Sequence, residues 1–195
     1  MTRGSTALLP LSLLIALAAL TFWLRYATEL PTVPNDGKTR HDPDFVVTDA
    51  KVRKLDKDGK LQYTLLADEI RHYPDDDASD LARPKLVYLF PTRPTVTISA
   101  EQGHANSKGE QVDLKDRVEM RRAATGKHEE LVLETAELTV LTDEERAFTK
   151  SPVVITQGKS WVRGVGMKVD HQLQTYVLES QVMGQIESQP ARKKP

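Results

Sequence analysis

The sequence contains no cysteine, which excludes a disulfide-bonded scaffold, a cysteine nucleophile and a metal site built on thiolates. It also has no excess of charge of either sign, because 27 Lys and Arg residues face 28 Asp and Glu residues. The resulting net charge of −1 argues against a nucleic-acid-binding surface. The length of 195 residues is sufficient for one ordinary domain and a short additional segment.

Residues capable of catalysis or metal binding are present, but they are not grouped. The acidic run at residues 75–77, with Asp80, lacks the alternating ligands and the glycine of a calcium loop. No serine or acid lies at the spacing of a nucleophile and its base. No two histidines lie at a metal-ligand spacing; the histidines are His41, His72, His104, His128 and His171. We therefore expect neither an enzyme nor a cofactor or metal site.

The N-terminal segment is the one long apolar run. Residues 4–24 carry no charge and are rich in Leu and Ala. At about 1.5 Å per residue, about 20 helical residues cross a hydrocarbon core of about 30 Å. Trp23 and Tyr26 follow at the end of the run, where aromatic rings prefer the headgroup region. We interpret residues 1–26 as a cytoplasmic tip and a transmembrane anchor, with Arg3 on the cytoplasmic side.

A cleaved secretory signal peptide is the alternative interpretation of this segment. The small residues Ala16 and Ala18 have the spacing of a cleavage site. However, the apolar run continues to Leu24, whereas a signal peptide normally becomes polar after its cleavage site. The uncleaved anchor is therefore favoured, and both interpretations place the rest of the chain outside the cytoplasm.

The sequence after the anchor divides into a linker and a β-rich domain. Residues 27–43 are rich in Pro and Gly without apolar periodicity, which predicts a linker. From residue 44, apolar residues alternate with polar ones, as in half-buried strands. Asp58-Gly59 predicts a hairpin, and the run 86–90 predicts a strand. No later segment has a helical pattern, so residues 44–187 are predicted to form an all-β domain, followed by a polar tail at 188–195.

The second half of this domain repeats. Gly103, Leu138 and Met167 begin three matching units, each with the order strand, turn, strand, corner, strand. Five further columns of matching positions follow: Ala105/Val140/Val169, Val112/Ala147/Tyr176, Leu114/Thr149/Leu178, Val118/Val153/Val182 and Met120/Ile155/Gly184. Such units cannot bury an apolar face alone, so they are expected to stack as two facing sheets with these columns between them.

The stretch SAEQGHANSKGEQVDLKDRVEM (residues 99–120) and the last unit, from Gly164 to Val182, resemble the repeats of periplasmic lipopolysaccharide-transport proteins. The order of anchor, linker, first strand and repeats resembles the LptC family over essentially the whole chain. The resemblance implies an elongated, twisted two-sheet β-jellyroll on a single-pass helix in the inner membrane. Family members belong to the ABC transporter complex that extracts lipopolysaccharide for outer-membrane biogenesis.

The resemblance also implies that lipid A acyl chains pass through the apolar interior. Together with the columns, it predicts these lipid-binding residues: Met120, Leu138, Val140, Val153, Ile155, Met167 and Val169. The two methionines are the strongest candidates, because a flexible thioether adapts to variable shapes. For each residue the alternative is a purely structural place in the core. Lys85, Arg121, Arg122 and Arg163 are candidates for contacts with lipid phosphates, although ordinary surface charge is the simpler interpretation.

The last repeat has no further strand in the sequence to cover it. Between Thr175 and Ile186 the one charged residue is Glu179 and proline is absent, so this strand lacks the usual protection of an edge. We expect Thr175, Val177, Val182 and Ile186 to form an edge that pairs with a soluble periplasmic β-jellyroll protein, in line with the resemblance. The edge near residues 45–50 would then face the transporter. The alternative function is a membrane-anchored structural adaptor that binds only proteins.

Overall fold

The structure is a computed structural model that describes residues 8–28, 41–56, 58–90, 93–126, 129–170, 172 and 175–187. These residues form one helix and eleven strands, in two units that divide after Thr39. The prediction of an all-β fold preceded by a single N-terminal helix is confirmed. Most of the predicted linker, 27–43, and the predicted tail, 188–195, lie outside the described residues.

Helix α1 (Leu8–Thr28) forms the first unit. Its segment Pro10–Thr28 is long and apolar enough to cross a membrane by length and composition. The hydroxyl of Thr21 donates to the Leu17 carbonyl at 2.8 Å, and that of Thr28 donates to the Leu24 carbonyl at 2.6 Å. Both hydroxyls are thereby satisfied within the helix, as an apolar surrounding requires.

The second unit contains the strands. They are β1 (Phe45–Leu55), β2 (Leu61–Tyr73), β3 (Ala78–Ala82), β4 (Lys85–Tyr88), β5 (Val96–Ser99), β6 (Gln102–Ala105), β7 (Gln111–Arg122), β8 (Leu131–Leu141), β9 (Arg146–Gln157), β10 (Ser160–Asp170) and β11 (Thr175–Gln185). All of the pairings are antiparallel. The order is β11-β10-β9-β8-β7-β5-β4-β2-β3-β6, with β1 on the far edge of β2 and β6 also paired with β7.

The long strands bend in the middle, so that one hydrogen-bonded network forms two layers. The first half of β2 pairs with β4, while its second half pairs with β3. We call the half of the domain that contains β4 and β5 layer A, and the half that contains β3 and β6 layer B. The register shifts at the bends, between Lys115 and Val118 in β7 and between Thr135 and Thr139 in β8. Asp116 has a φ of 61°, a left-handed conformation that Asp tolerates better than most residues and that turns the strand.

The two layers enclose one apolar core. Layer A contributes Leu86, Ile98 and Leu133, whereas layer B contributes Leu114 and Leu138, and all of these belong to one buried cluster. Burial alternates along the strands, since successive side chains in a strand point to opposite faces. The two-sheet arrangement expected from the repeats is thus present, but as two halves of one continuous network.

Two local features differ from the sequence analysis. Strand β3 has no counterpart among the predicted strands, because its sequence ASDLA is short and has little strand propensity; its pairing with β2 and β6 stabilises it. The strand predicted at 86–90 ends at Tyr88. Leu89 and Phe90 leave the ladder, and the Phe90 ring lies against Tyr88 with 6.2 Å between ring centroids.

Candidate functional site

The residues predicted to line the interior do face it. Met167 is completely buried, and Ile155 is partly buried and packs against the core cluster. The remaining five are at most 5% exposed: Met120, Leu138, Val140, Val153 and Val169. The structure therefore brings all seven side chains to one surface, while their contact with lipid stays a prediction.

The columns of matching sequence positions correspond, in the structure, to rows of side chains that run across neighbouring strands. Val140 lies opposite Val112 on one side and Ala147 on the other, and Val169 continues the row opposite Ala147. Side chains directly opposite one another in an antiparallel pair share a face. Two columns alternate along this row, so each repeat unit contributes two neighbouring residues to it, and the repeat is therefore visible in the sequence.

The interior contains few polar groups, and most of them are satisfied. The Thr135 hydroxyl donates to the Pro152 carbonyl at 2.9 Å, and the Thr142 hydroxyl donates to the Gly109 carbonyl at 2.7 Å. Two buried polar atoms accept or donate no hydrogen bond among the described residues, Tyr88 Oη and Glu145 Oε2. Burial raises the pKa of Tyr88 far above its usual range, so its hydroxyl remains protonated.

The interior is closed in this structure. A cavity of about 30 Å³ lies between Ile98, Met120, Val140 and Val169. This volume suits one water molecule and not an acyl chain. An acyl chain would fit between the two layers only if they moved apart.

The apolar surface continues beyond the closed core at both ends of the network. On β1, Val47 lies opposite Ile70 and Val52 opposite Leu65, which places both valines on the interior side. They are nevertheless 42% and 45% exposed, because no described strand covers β1. On β11, Val182 is similarly 58% exposed. The interior face thus emerges uncovered at two edges.

Strand β11 is the last strand at one end of the described network, as expected for a partner edge. Val177 is 51% exposed, and Ile186, just beyond the end of β11, is 78% exposed. Thr175 pairs with Asp170 at the start of the strand. Lys168 lies 2.8 Å from Glu179, so the one charge noted on this edge has a partner on β10. The role of β11 in binding a partner stays a prediction.

The predicted phosphate contacts are in different surroundings. Arg121 pairs with Glu119 and Glu130 on the surface, and Arg163 lies over Trp161. Lys85 is exposed on β4. Arg122 of layer A lies near Tyr176 of layer B.

Two histidines fasten the start of β1 to the hairpin of β2 and β3. The His72 ring lies 2.7 Å from an Asp44 oxygen and 2.9 Å from an Asp77 oxygen, and it stacks on Phe45. The carboxylates raise the pKa of His72, with Asp44 the larger cause. His41 lies 2.9 Å from Asp75, which raises the pKa of His41. Among the described residues no three His, Asp or Glu side chains could hold a metal ion, while His128 and His171 lie outside them.

A wide concavity lies on the outer face of layer B. Its volume is about 680 Å³, and its lining includes Arg71, Asp80, His104 and Asp113. Asp80 pairs with His104 at 2.8 Å, and Asp113 accepts from Thr139 at 2.6 Å. This charged, internally paired surface does not suit acyl chains, so the interior remains the better candidate despite its smaller cavity.

The sequence analysis did not identify Tyr88, Arg93 and Glu145 as a group. Arg93 Nη2 lies 3.0 Å from Glu145 Oε2, an ion pair between the β4–β5 loop and the β8–β9 turn. Arg93 and Glu145 are far apart in the sequence, and no sequence motif surrounds either of them. The bent topology alone brings them together.

The comparison with known families agrees with the resemblance. Residues 11–187 match the family described as "Lipopolysaccharide-assembly, LptC-related". The lipopolysaccharide export system protein LptC of Haemophilus influenzae is 35% identical over 78 residues, which cover 40% of this chain and 37% of that protein. LptH of Pseudomonas aeruginosa, described as the LptA homologous periplasmic component of the lipopolysaccharide transport device, has a TM-score of 0.47 at 10% identity, covering 76% of this chain and 98% of that chain.

Proposed function

Because the chain belongs to the LptC family of lipopolysaccharide-assembly proteins, we propose that it is the lipopolysaccharide-binding subunit of the inner-membrane export complex. It receives lipopolysaccharide from the ABC transporter and passes it to a periplasmic β-jellyroll bridge protein. The subunit itself is not an enzyme, and another subunit hydrolyses ATP.

The observation that carries this proposal is the interior face, which is apolar from one free edge to the other. It begins at Val47 and Val52 on β1, continues through the core and emerges at Val182 on β11. Burial of an acyl chain is worth about 0.8 kcal/mol per CH₂ group. An acyl chain can therefore replace the apolar contacts that the two layers make with each other in the closed state.

The free edges account for the two neighbours. An uncovered strand offers a row of N–H and C=O groups that can pair with a strand of another chain. Strand β11 is proposed to pair with the bridge protein, and β1 with a transporter subunit. In such an assembly the apolar faces of the three proteins adjoin, and the exposed residues on β1 and β11 become parts of one path.

Helix α1 is proposed to anchor the subunit in the inner membrane. Arg3 and the N-terminal amine support a cytoplasmic N-terminus, by the preference of positive charge for that side. The β domain then lies in the periplasm.

The adaptor remains a second candidate, because one observation favours it. The interior is packed, with a cavity of about 30 Å³, as in a protein that binds only other proteins. The two candidates differ in whether the layers separate for lipid.

Photocrosslinking distinguishes them. A site-specific diazirine amino acid is placed at Met167, which is fully buried, or at Lys168, which is exposed on the opposite face. With the assembled transporter and ATP, we expect lipopolysaccharide to be captured at Met167 and not at Lys168. Equal capture at both positions, or none at Met167 in a folded and assembled complex, would leave the adaptor as the function.

A further inference from the structure

Two histidines join the start of β1 to the turn between β2 and β3, residues 74–77. On the His72 ring, Nδ1 lies 2.7 Å from an Asp44 oxygen and Nε2 lies 2.9 Å from an Asp77 oxygen. His41 Nδ1 lies 2.9 Å from Asp75 Oδ2. We call these five residues the histidine clasp. It connects the residues that precede β1 with a turn more than 30 residues later in the chain.

Each histidine of the clasp also stacks on an aromatic ring. The Phe45 and His72 rings lie 4.6 Å apart between centroids, with an angle of 8° between their planes. The His41 and Tyr73 rings lie 4.1 Å apart, with an angle of 3°. A cation is attracted to the face of an aromatic ring. The stacks therefore favour the protonated form of both histidines, as the carboxylates do.

The charged groups that act most strongly on the two rings are carboxylates. Asp44 and Asp77 raise the pKa of His72, with Asp44 the larger cause. The neighbours of His72 in the ladder, Phe45 on β1 and Ser79 on β3, carry no charge. The carboxylates that raise the pKa of His41 are Asp75, Asp76 and Asp80, with Asp75 the largest cause.

The two contacts of His72 require a proton on each ring nitrogen. A carboxylate oxygen only accepts a hydrogen bond, so both nitrogens must donate, and imidazolium is the form that carries two N–H groups. A neutral ring donates to Asp44 or to Asp77 and presents a lone pair to the other carboxylate. His41 makes one contact of this kind, which its neutral ring can keep. His72 is therefore the member of the clasp that depends on protonation.

We propose that the clasp is a proton-dependent switch, in which His72 joins the start of β1 to the β2–β3 turn only while both of its ring nitrogens carry a proton. When His72 becomes neutral, one of its two carboxylates is released. Because the folded pKa of His72 is raised, the clasp is fully closed below the unfolded pKa of about 6.5, and it opens as the pH rises through the folded pKa. This inference does not depend on the proposed function.

The start of β1 can respond without the rest of the strand. Asp49 has a φ of 51° and is left out of the ladder between Thr48 and Ala50. Residues 45–47 are 42% to 50% exposed, so few apolar contacts hold them on β2. Opening can thus be confined to residues 44–48. An ordered edge strand pairs with another chain at a lower entropic cost, so protonation of His72 favours pairing at this edge.

The test measures amide hydrogen exchange of the full chain in phosphatidylcholine nanodiscs, at about pH 5.5 and about pH 8.5, on either side of the usual histidine pKa. Division by the intrinsic exchange rate at each pH gives protection factors that can be compared. At the higher pH we expect residues 44–48, the β2–β3 turn or both to lose protection about threefold, the effect of one exposed ion pair. Residues 50–55 of β1 should keep their protection.

Asp77→Asn is the variant that tests the mechanism. An amide donates as well as accepts, so a neutral His72 can donate to Asp44 and accept from the new amide. Asp77 has a φ of 56°, which Asn also tolerates. We expect equal protection at both pH values in this variant, and no pH response in His72→Gln. His104→Gln is the matched control, because His104 contacts the single carboxylate of Asp80, and it should keep the wild-type response.

Equal protection of both segments at the two pH values in the wild-type chain would overturn the inference. So would a wild-type pH response in Asp77→Asn, measured in a protein that unfolds at the wild-type temperature. Loss of protection along the whole of β1 would also overturn it, because the edge strand would then weaken as a unit and the clasp would not act locally. The wild-type measurement and Asp77→Asn are sufficient even if His72→Gln proves unstable.

Discussion

Val153 and Val154 are consecutive in β9 but lie on opposite faces of the network. Val153 is 1% exposed and belongs to the core cluster, whereas Val154 is 39% exposed and lies opposite Glu134 of β8. The alternation of side chains along a strand causes this difference. The two valines therefore form a matched pair for measuring what the interior tolerates.

The first prediction concerns the polarity of the interior. Val153→Lys places a charge in the core without a partner, and we expect a loss of several kcal/mol in the free energy of unfolding. Val154→Lys faces Glu134 across the ladder, and we expect a change within about 0.5 kcal/mol. Urea unfolding of the full chain, followed by circular dichroism, measures both. Equal stability of the two variants would contradict the orientation of β9.

The repeats explain why so much of the fold could be predicted from the sequence. Each unit repeats the same rows, so the burial of Leu138, Val140 and Met167 follows from period-two alternation and the offset between the units. The bend at Asp116 likewise falls at the corner that the order of strands in each unit predicts.

The contact between the two layers at Arg93 and Glu145 could not be predicted in the same way. The contact of Arg93 with Glu145 depends on the angle at which the two layers meet, and alternation carries no information about that angle. The closed state of the interior also depends on how side chains of the two layers fit together. Strand β3 was missed because its pairing with β2, rather than its own sequence, makes it a strand.

The second prediction concerns the dependence of stability on pH. Asp44 and Asp77 raise the pKa of His72 in the folded chain above the unfolded value of about 6.5. The stabilisation that protonated His72 gives the folded chain is therefore fully present below pH ~6.5, and it is lost as the pH rises through the folded pKa. We expect the free energy of unfolding to fall over this range, and more weakly in His72→Gln. Urea unfolding at a series of pH values measures both slopes, and identical slopes would rule out a contribution from His72.

The third prediction concerns the N-terminal helix. We expect the mature protein to keep residues 1–26, because the apolar run extends through Trp23 with no polar segment after the small residues. Intact mass spectrometry of the protein purified from membranes measures this directly. A mass that corresponds to cleavage after Ala18 would establish the signal-peptide interpretation instead.

The last prediction concerns the free edge of β11. Proline lacks the N–H group that a ladder needs, and its ring disfavours strand pairing. Successive N–H groups along a strand point to opposite sides. Of Val182→Pro and Met183→Pro, one therefore removes an N–H that faces β10 and the other removes an N–H that faces the free edge. The variant whose lost N–H faces the free edge should keep the wild-type unfolding temperature, and it is therefore the informative one.

In that variant we expect weaker binding of the soluble periplasmic partner and unchanged assembly with the membrane subunits, since β1 is untouched. On β1, whichever of Val46→Pro and Val47→Pro keeps the wild-type unfolding temperature is the reciprocal control, and it should weaken assembly with the membrane subunits while the soluble partner still binds. Pull-down of each partner by the full chain measures both. Because β1 and β11 are both edge strands, the selected variants place the same chemical defect at opposite ends of the network. If a folded β11 variant retains full binding of the soluble partner, that partner does not pair with β11, and the direction of transfer assigned to the two edges is wrong.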